Sequence, residues 1–443
     1  MKMTFKDLLK GWETEVQALR TTLPMSYLIT SAFHSQYMKE LKQFINNNCA
    51  ITDKKNEDDF EYTVPPEVYN SYNKISKKID RLDVARKLIP RMFLITLICQ
   101  YDALIGNLAR LILNIKPEIL NNSERQLSFK EIVDFGTLEK AKEYIISKEI
   151  ETLLRKSHKE QIIWFEKKLE INLQSDKQLL ENFYEITERR NLFTHNNGIV
   201  NESYISNCKQ LGCKISVNLG DELDITEHYF SNSVNCLFEI GIKLTTTIWR
   251  ILCPNENQDS EIAINNIAFN LISEDNYDLA IKMLNFPINY FHNMTNANKL
   301  MLNINLAQCY LWKKDNIKCK KIIDEQDWSM CTADYKVCKA VLEQDFKTAV
   351  NILKNENTGI QQNDLLEWPI FKELRKEKVF TDYFSTKYSI TVDEYKKSFK
   401  YREDNKKVDN TQKNPRGVAG VSPAERVAEN AAGGWSEGET SPS

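Results

Sequence analysis

The sequence predicts an all-α protein: a bundle of long helices followed by a solenoid-like array of helical hairpins. Three observations carry this. Apolar residues recur at helical spacing, as in Leu88, Phe93, Leu97, Tyr101, Leu104, Leu108 and Leu111, which together form one broad face. Gly and Pro, 13 and 11 in a chain of 443 residues, are rare inside the periodic segments. Beyond Pro254 a pattern of small residues repeats: Ile267-Ala268, Leu271, Ala280 and Leu284 have the same mutual offsets as Leu306-Ala307, Tyr310, Cys319 and Ile323.

Taken in order, residues 1–83 predict helices over Phe5–Leu19 and Tyr27–Phe44 and a polar loop over Asp53–Asp59, in a region whose role the sequence does not name. Residues 84–253 predict the bundle. Its helices are expected around Leu88–Leu111, Thr137–Lys156, Ile162–Leu169 and Lys177–Thr194, the last closed by Asn196-Asn197-Gly198, whose residues tolerate left-handed backbone. Lys214–Leu219 alternates polar and apolar residues and predicts a short strand. Thr226 is an N-cap for a helix running to Ile251, and Cys253-Pro254 marks a domain boundary.

Residues 258–400 form the second predicted domain. Small residues flanked by larger apolar ones are what two antiparallel helices need where they cross closely. From Glu261 to Leu353 the pattern resembles the tetratricopeptide repeat, with a further unit carrying Ala340 and Ala349. That resemblance implies an extended surface for a protein or peptide partner. Trp368-Pro369-Ile370-Phe371 with Leu374, Phe380, Tyr383 and Phe384 predicts a last hydrophobic segment docked on the array. Residues 404–443 differ in composition: Arg416–Ser443 lacks Lys, Ile, Leu, Phe and Tyr, which predicts a disordered or appended tail.

A net charge of −3 and a pI near 6.1 argue against nonspecific coating of nucleic acid, which needs an excess of Lys and Arg, but leave room for a local RNA site. The charged start and the polar interruptions Arg91, Gln100, Asp102, Asn107 and Arg110 within Leu88–Ile115 predict neither export nor a membrane span. Ten scattered cysteines fit reduced thiols, and a cytoplasmic location is expected. Cys208, Cys213, His228 and Cys236 match no common zinc spacing, so no metal or cofactor is expected.

The run Glu188-Arg189-Arg190-Asn191-Leu192-Phe193-Thr194-His195-Asn196-Asn197-Gly198 carries the chemistry. Arg190 can neutralise phosphate at any relevant pH, and the imidazole of His195 can move a proton. At these residues the chain resembles the ribonucleases of the HEPN superfamily, helical domains with an Arg, commonly a polar residue directly after it, and a His a few positions on. Arg190, Asn191 and His195 match position by position, and the bundle around them matches the family's layout. The resemblance implies an endoribonuclease that needs no metal, in which the ribose 2′-hydroxyl attacks the adjacent phosphate. His195 would transfer the proton, Arg190 hold the phosphate and Asn191 orient it. Arg189 and Asn196 are expected to face substrate. One His is too few for both acid and base, so the resemblance also implies a homodimer with a composite cleft, in a toxin or abortive-infection effector acting against phage. The competing expectations are a non-catalytic repeat scaffold whose bundle only dimerises, or an RNA- or nucleotide-binding protein. In those, Arg190 pairs with Glu181, Glu185 or Glu188 and His195 is an ordinary helix end.

Overall fold

The structure, a computed structural model, describes residues 3–54, 60–122, 127–329, 331–395 and 397. The predicted tail over residues 404–443 lies outside them. About four fifths of the described chain is helical, and the only sheet among the described residues is a two-stranded hairpin. The chain divides into two compact units, Met1–Ile248 and Trp249–Ser443.

The first unit opens with helix α1 (Phe5–Asn48), whose start is held by a capping box in which the Thr4 hydroxyl accepts from the Asp7 amide at 3.1 Å. The two helices expected here are one, running through Pro24. A proline removes one helical hydrogen bond and crowds the preceding turn. Packing on both sides of it, from Val16 and Leu23 to Thr30, outweighs that cost. The partner is α2 (Tyr69–Ile115), which runs antiparallel: Trp12 packs edge-on to Tyr101 with centroids 6.1 Å apart, His34 Nε2 lies 3.2 Å from Asp83, and Lys78 sits 4.6 Å over the Tyr37 ring. The expected boundary at 83/84 therefore falls inside α2, and the N-terminal segment belongs to the same unit as the bundle. Between them β1 (Ala50–Lys54) and β2 (Phe60–Thr63) pair antiparallel, with Ala50 opposite Thr63 and Ile51 opposite Tyr62. The polar loop expected over Asp53–Asp59 thus begins inside a strand, and its residues 55–59 lie outside the described ones.

Among the described residues α2 is the one helix long and apolar enough to cross a membrane. Its face from Leu94 through Leu97, Ile98, Tyr101, Ile105 and Leu108 to Ile112 is instead buried within the unit. Leu88, expected on that face, is 45% exposed, because nine residues before Leu97 it lies about 180° round the helix from it.

The bundle continues with α3 (Phe129–Phe135), α4 (Leu138–Leu154), α5 (His158–Leu169), α6 (Lys177–Asn196), α7 (Glu202–Gln210) and α8 (Glu227–Leu252). Thr226 caps α8, accepting from the Tyr229 amide at 3.1 Å. α8 meets α1 so closely that a Cβ on Gly241 would run into the Trp12 indole. Lys214–Leu219 is not a strand. Leu219 is exposed, and among the described residues no neighbouring strand offers its stretch a ladder; the isolated bridge in this loop joins Ile199 to Glu222.

The second unit begins within the last turns of α8. The boundary expected at Cys253-Pro254 moves upstream because Trp249 and Arg250 bind forward: Trp249 Nε1 donates to Glu256 at 2.6 Å and Arg250 Nη1 to Glu261 at 2.8 Å. Three hairpins follow: α9 (Asn257–Ser273) with α10 (Tyr277–Tyr290), α11 (Asn296–Trp312) with α12 (Asn316–Asp324), and α13 (Ala333–Leu342) with α14 (Phe346–Asn355). The repeating small residues Ala268, Ala280, Ala307, Cys319, Ala340 and Ala349 are buried. Each hairpin turns through one left-handed residue, Asp275, Lys314 or Gln344, and the next amide then bonds back to Leu271, Tyr310 or Ala340. α15 (Gln362–Glu367), the 3₁₀ turn Pro369–Phe371 and α16 (Lys378–Tyr388) close the unit, with Phe371, Leu374, Phe380 and Phe384 fully buried.

Candidate active site on helix α6

Helix α6 is fixed at both ends. Asp176 caps its start, accepting from the Leu179 amide at 3.2 Å, and is itself held by Lys243 of α8 at 3.0 Å. At its end Asn197 and Gly198 adopt φ of 54° and 83°, and the Gly198 amide bonds to Leu192 O at 3.2 Å. A Cβ on Gly198 would lie 2.7 Å from the Phe193 ring and 3.0 Å from Leu223 O, so position 198 admits only glycine without rearrangement.

Arg190 projects from α6 toward α2 and α5. Its Nη2 is 3.9 Å from Asp102 Oδ2, its side chain is 20% exposed, and its Nε is buried without an acceptor among the described residues. The other oxygen of Asp102 lies 3.2 Å from Nε2 of His158, an imidazole packed edge-on against Phe183. Arg190, Asp102 and His158 therefore form one cluster contributed by three helices. The sequence assigned His158 no role, since its partner Asp102 is distant along the chain.

The His195 imidazole is exposed and makes no hydrogen bond or ion pair with the described residues. It follows Arg190 by five residues, which on an α-helix is about 140° further round. The two predicted catalytic side chains accordingly leave α6 on different faces and are not brought together within one chain. Asn191 is half-buried beside Arg190.

Arg189 is not the substrate-facing charge expected of it. Its Nε donates to Glu185 at 2.7 Å and its guanidinium stacks 4.0 Å from the Tyr229 ring centroid. Glu185 also accepts from the hydroxyls of Tyr204 and Tyr229, each at 2.7 Å. Burial opposes the charge of Arg189, but Tyr229, Glu185 and Tyr204 outweigh it and raise its pKa. Burial and Glu185 in turn push both phenols well up. Asn196, also expected to face substrate, donates its amide to Ile199 O and so braces the turn.

Arg91 of α2 is the functional neighbour that sequence reasoning missed. Its Nη1 donates to Asn197 O at 3.0 Å and its Nη2 to Asp224 at 2.8 Å and Glu222 at 3.0 Å, while it lies 5.0 Å over the Phe193 ring. It holds the turn that ends α6, and with it the base of His195. The available signal was an arginine inside a strongly apolar stretch.

Among the described residues no group of three or more His, Cys, Asp and Glu is placed to hold a metal ion. Cys208 and Cys213 share a thiol hydrogen bond that, with burial, pushes Cys208 up; Cys236 Sγ faces Leu179 O at 3.7 Å, and His228 pairs with Asn232. Compared with family models, curated proteins and solved structures, the chain matches none.

Proposed function

We propose that the protein is an endoribonuclease of HEPN type that cleaves RNA by 2′-hydroxyl attack, without a catalytic metal, and acts as a toxin or abortive-infection effector. The observation that carries this reading is the state of the α6 end. Arg190 keeps a buried N–H without an acceptor while Asp102 lies 3.9 Å from its guanidinium, and His195 stands exposed and unengaged in the last turn of α6. An oriented cation and an accessible imidazole are what in-line attack on a phosphodiester requires.

Because the two groups leave one helix about 140° apart, the working cleft needs two copies of α6. An exposed apolar strip supports such pairing: Met25, Leu28 and Ile29 on α1, and Val84, Leu88 and Met92 on α2, the helix that Arg91 ties to the end of α6. Arg190 and His195 of both copies would then line one cleft around the scissile phosphate, with one imidazole as base and the other as acid, leaving a cyclic phosphate and a 5′-hydroxyl. Incubation with tRNA and mRNA, followed by mapping of the ends, tests this. Arg190→Ala and His195→Ala should each abolish cleavage with the fold intact, and cleavage lost on adding a chelator would count against it.

One observation favours a second reading. Asp102, itself held by His158, engages Arg190 inside the chain, as in a bundle that only dimerises or binds RNA. Equal tolerance of wild type and His195→Ala on expression in cells would favour that scaffold.

A further inference from the structure

We propose that Cys208 and Cys213, at the end of α7, form an oxidative modification site, a dithiol that a hydroperoxide converts to an intramolecular disulfide. The inference is independent of the ribonuclease reading, which uses neither thiol.

The backbone brings the pair together. Helix α7 ends in a left-handed turn: Gly212 has φ of 79°, its amide bonds to Lys209 O at 3.2 Å, and the Cys213 amide bonds to Cys208 O at 2.8 Å. A helix end closed by these two bonds sets the side chains of its first and last residues against each other, ordinarily as an apolar contact. Here both are thiols, and they share a hydrogen bond, so the sulfurs face one another. The backbone bond between the same residues draws their Cα atoms toward the span, about 4.4–6.8 Å, that a disulfide bridges. Helix α7 is in turn seated on α6, where the Tyr204 hydroxyl donates to Glu185 at 2.7 Å and Asn207 Nδ2 to Glu188 at 2.9 Å.

Exposure and hydrogen bonding divide the roles. Cys208 is fully buried, whereas Cys213 keeps 9% of its surface open between the exposed Gly212 and Lys214. The bond from Cys208 lowers the Cys213 thiol below its usual 9.0, against burial and the carboxylates of Glu185 and Glu181. Peroxide selects a reachable, readily ionised thiol with a second thiol beside it. The Cys213 thiolate attacks one peroxide oxygen, the O–O bond breaks, and hydroxide leaves a sulfenic acid. Cys208 sulfur then attacks that of Cys213, the S–O bond breaks, and the Cys208 proton departs with the oxygen as water. The two thiols lose two electrons and two protons, and hydrogen peroxide becomes two waters.

The test treats the reduced full chain with a small excess of hydrogen peroxide, unfolds it in iodoacetamide to block remaining thiols, and digests it with trypsin. Lys209 and Lys214 place the two cysteines in separate tryptic peptides, 191–209 and 210–214, which only a disulfide holds together. The expected product is that linked pair, lighter by two hydrogens than its parts and separated by dithiothreitol. It should form at least about tenfold faster than any oxidation of Cys309 and Cys338, buried thiols pushed up to about 12. In Cys208→Ser the first step lacks the second, so Cys213 should hold a sulfenic acid that dimedone traps. The wild-type digest decides alone if that variant fails to fold. Recovery of both peptides singly, with their thiols alkylated, once the exposed Cys99 has been oxidised overturns the proposal. So does a sulfinic acid on Cys213 beside a free Cys208, or a bridge from either residue to any other cysteine.

Discussion

Arg91 Nη1 donates to Asn197 O at 3.0 Å, joining the middle of α2 to the left-handed turn that ends α6. The same guanidinium reaches Leu223 O and Asp224, so one side chain gathers the three segments beneath the exposed His195. Arg91→Met keeps much of the apolar stem and removes every donor. It should cost about 2 kcal/mol, because the Asn197 and Leu223 carbonyls lose their partner and Asp224 loses its cation, while Glu222 keeps only Lys87. Urea denaturation measures the loss; an unchanged midpoint would show that the turn holds without it.

Gly198 combines a φ of 83° with a Cβ position only 2.7 Å from Phe193. Gly198→Ala should destabilise the protein by about 2 kcal/mol, with the strain concentrated at the α6 end. A thermal melt indistinguishable from wild type would contradict this account of the turn.

Asp102 lies 3.9 Å from Arg190 and is itself held by His158 at 3.2 Å, so it is placed to orient the guanidinium. If the ribonuclease reading holds, Asp102→Ala should lower the cleavage rate about 100-fold while RNA binding changes little, since the cation remains but its direction is lost. Single-turnover rates beside filter-binding affinities separate the two. A matched fall in both would mean that Asp102 merely maintains the fold.

A composite cleft has a mixing signature. Arg190→Ala and His195→Ala, each inactive alone, should recover part of the activity when denatured and refolded together, because a mixed dimer restores one cation and one imidazole to the shared cleft. Leu88→Glu should reduce both dimerisation, read by light scattering, and cleavage. Full activity from a monomer would remove the dimer from the mechanism.

The second unit should weaken in alkali. Burial pushes the thiols of Cys309 and Cys338 up to about 12, and that of Cys319 to about 11, from an ordinary 9.0. Above pH 9 the unfolded chain releases these protons while the folded chain keeps them, so stability present below pH 9 is lost as pH rises toward the folded values. Each thiol contributes about 1 kcal/mol per pH unit in that window. Urea midpoints measured from pH 8 to pH 10.5 should fall, and Cys338→Ala should flatten the slope.

Much of the helical plan was legible because its signals are local. Asn197-Gly198 announced the end of α6, Thr226 the start of α8, and Ala268, Ala280, Ala307 and Cys319 the close crossings of two hairpins. Some local signals went unread. Ser157 and Glu160 form a capping box that starts α5 at His158 rather than Ile162, and Asp275, Lys314 and Gln344 mark the turn of each hairpin. The strand expected at Lys214–Leu219 erred because alternation describes a strand only where a neighbour completes its ladder.

The candidate site divides the same way. Arg190, Asn191 and His195 are neighbours in sequence, and helical geometry alone already sets the angle between the cation and the imidazole. Which groups surround them was decided by tertiary structure: Asp102 of α2 meets Arg190 and is held by His158 of α5, Arg91 arrives at Asn197 from α2, and Arg189 is drawn inward by Glu185 and Tyr229. The sequence by itself determined the all-α class and the ends of α6, since periodicity, caps and left-handed residues act over a few positions. Only the packed chain decided the continuity of α1 through Pro24 and the partners of each charge, because burial and ion pairing depend on residues far apart in sequence.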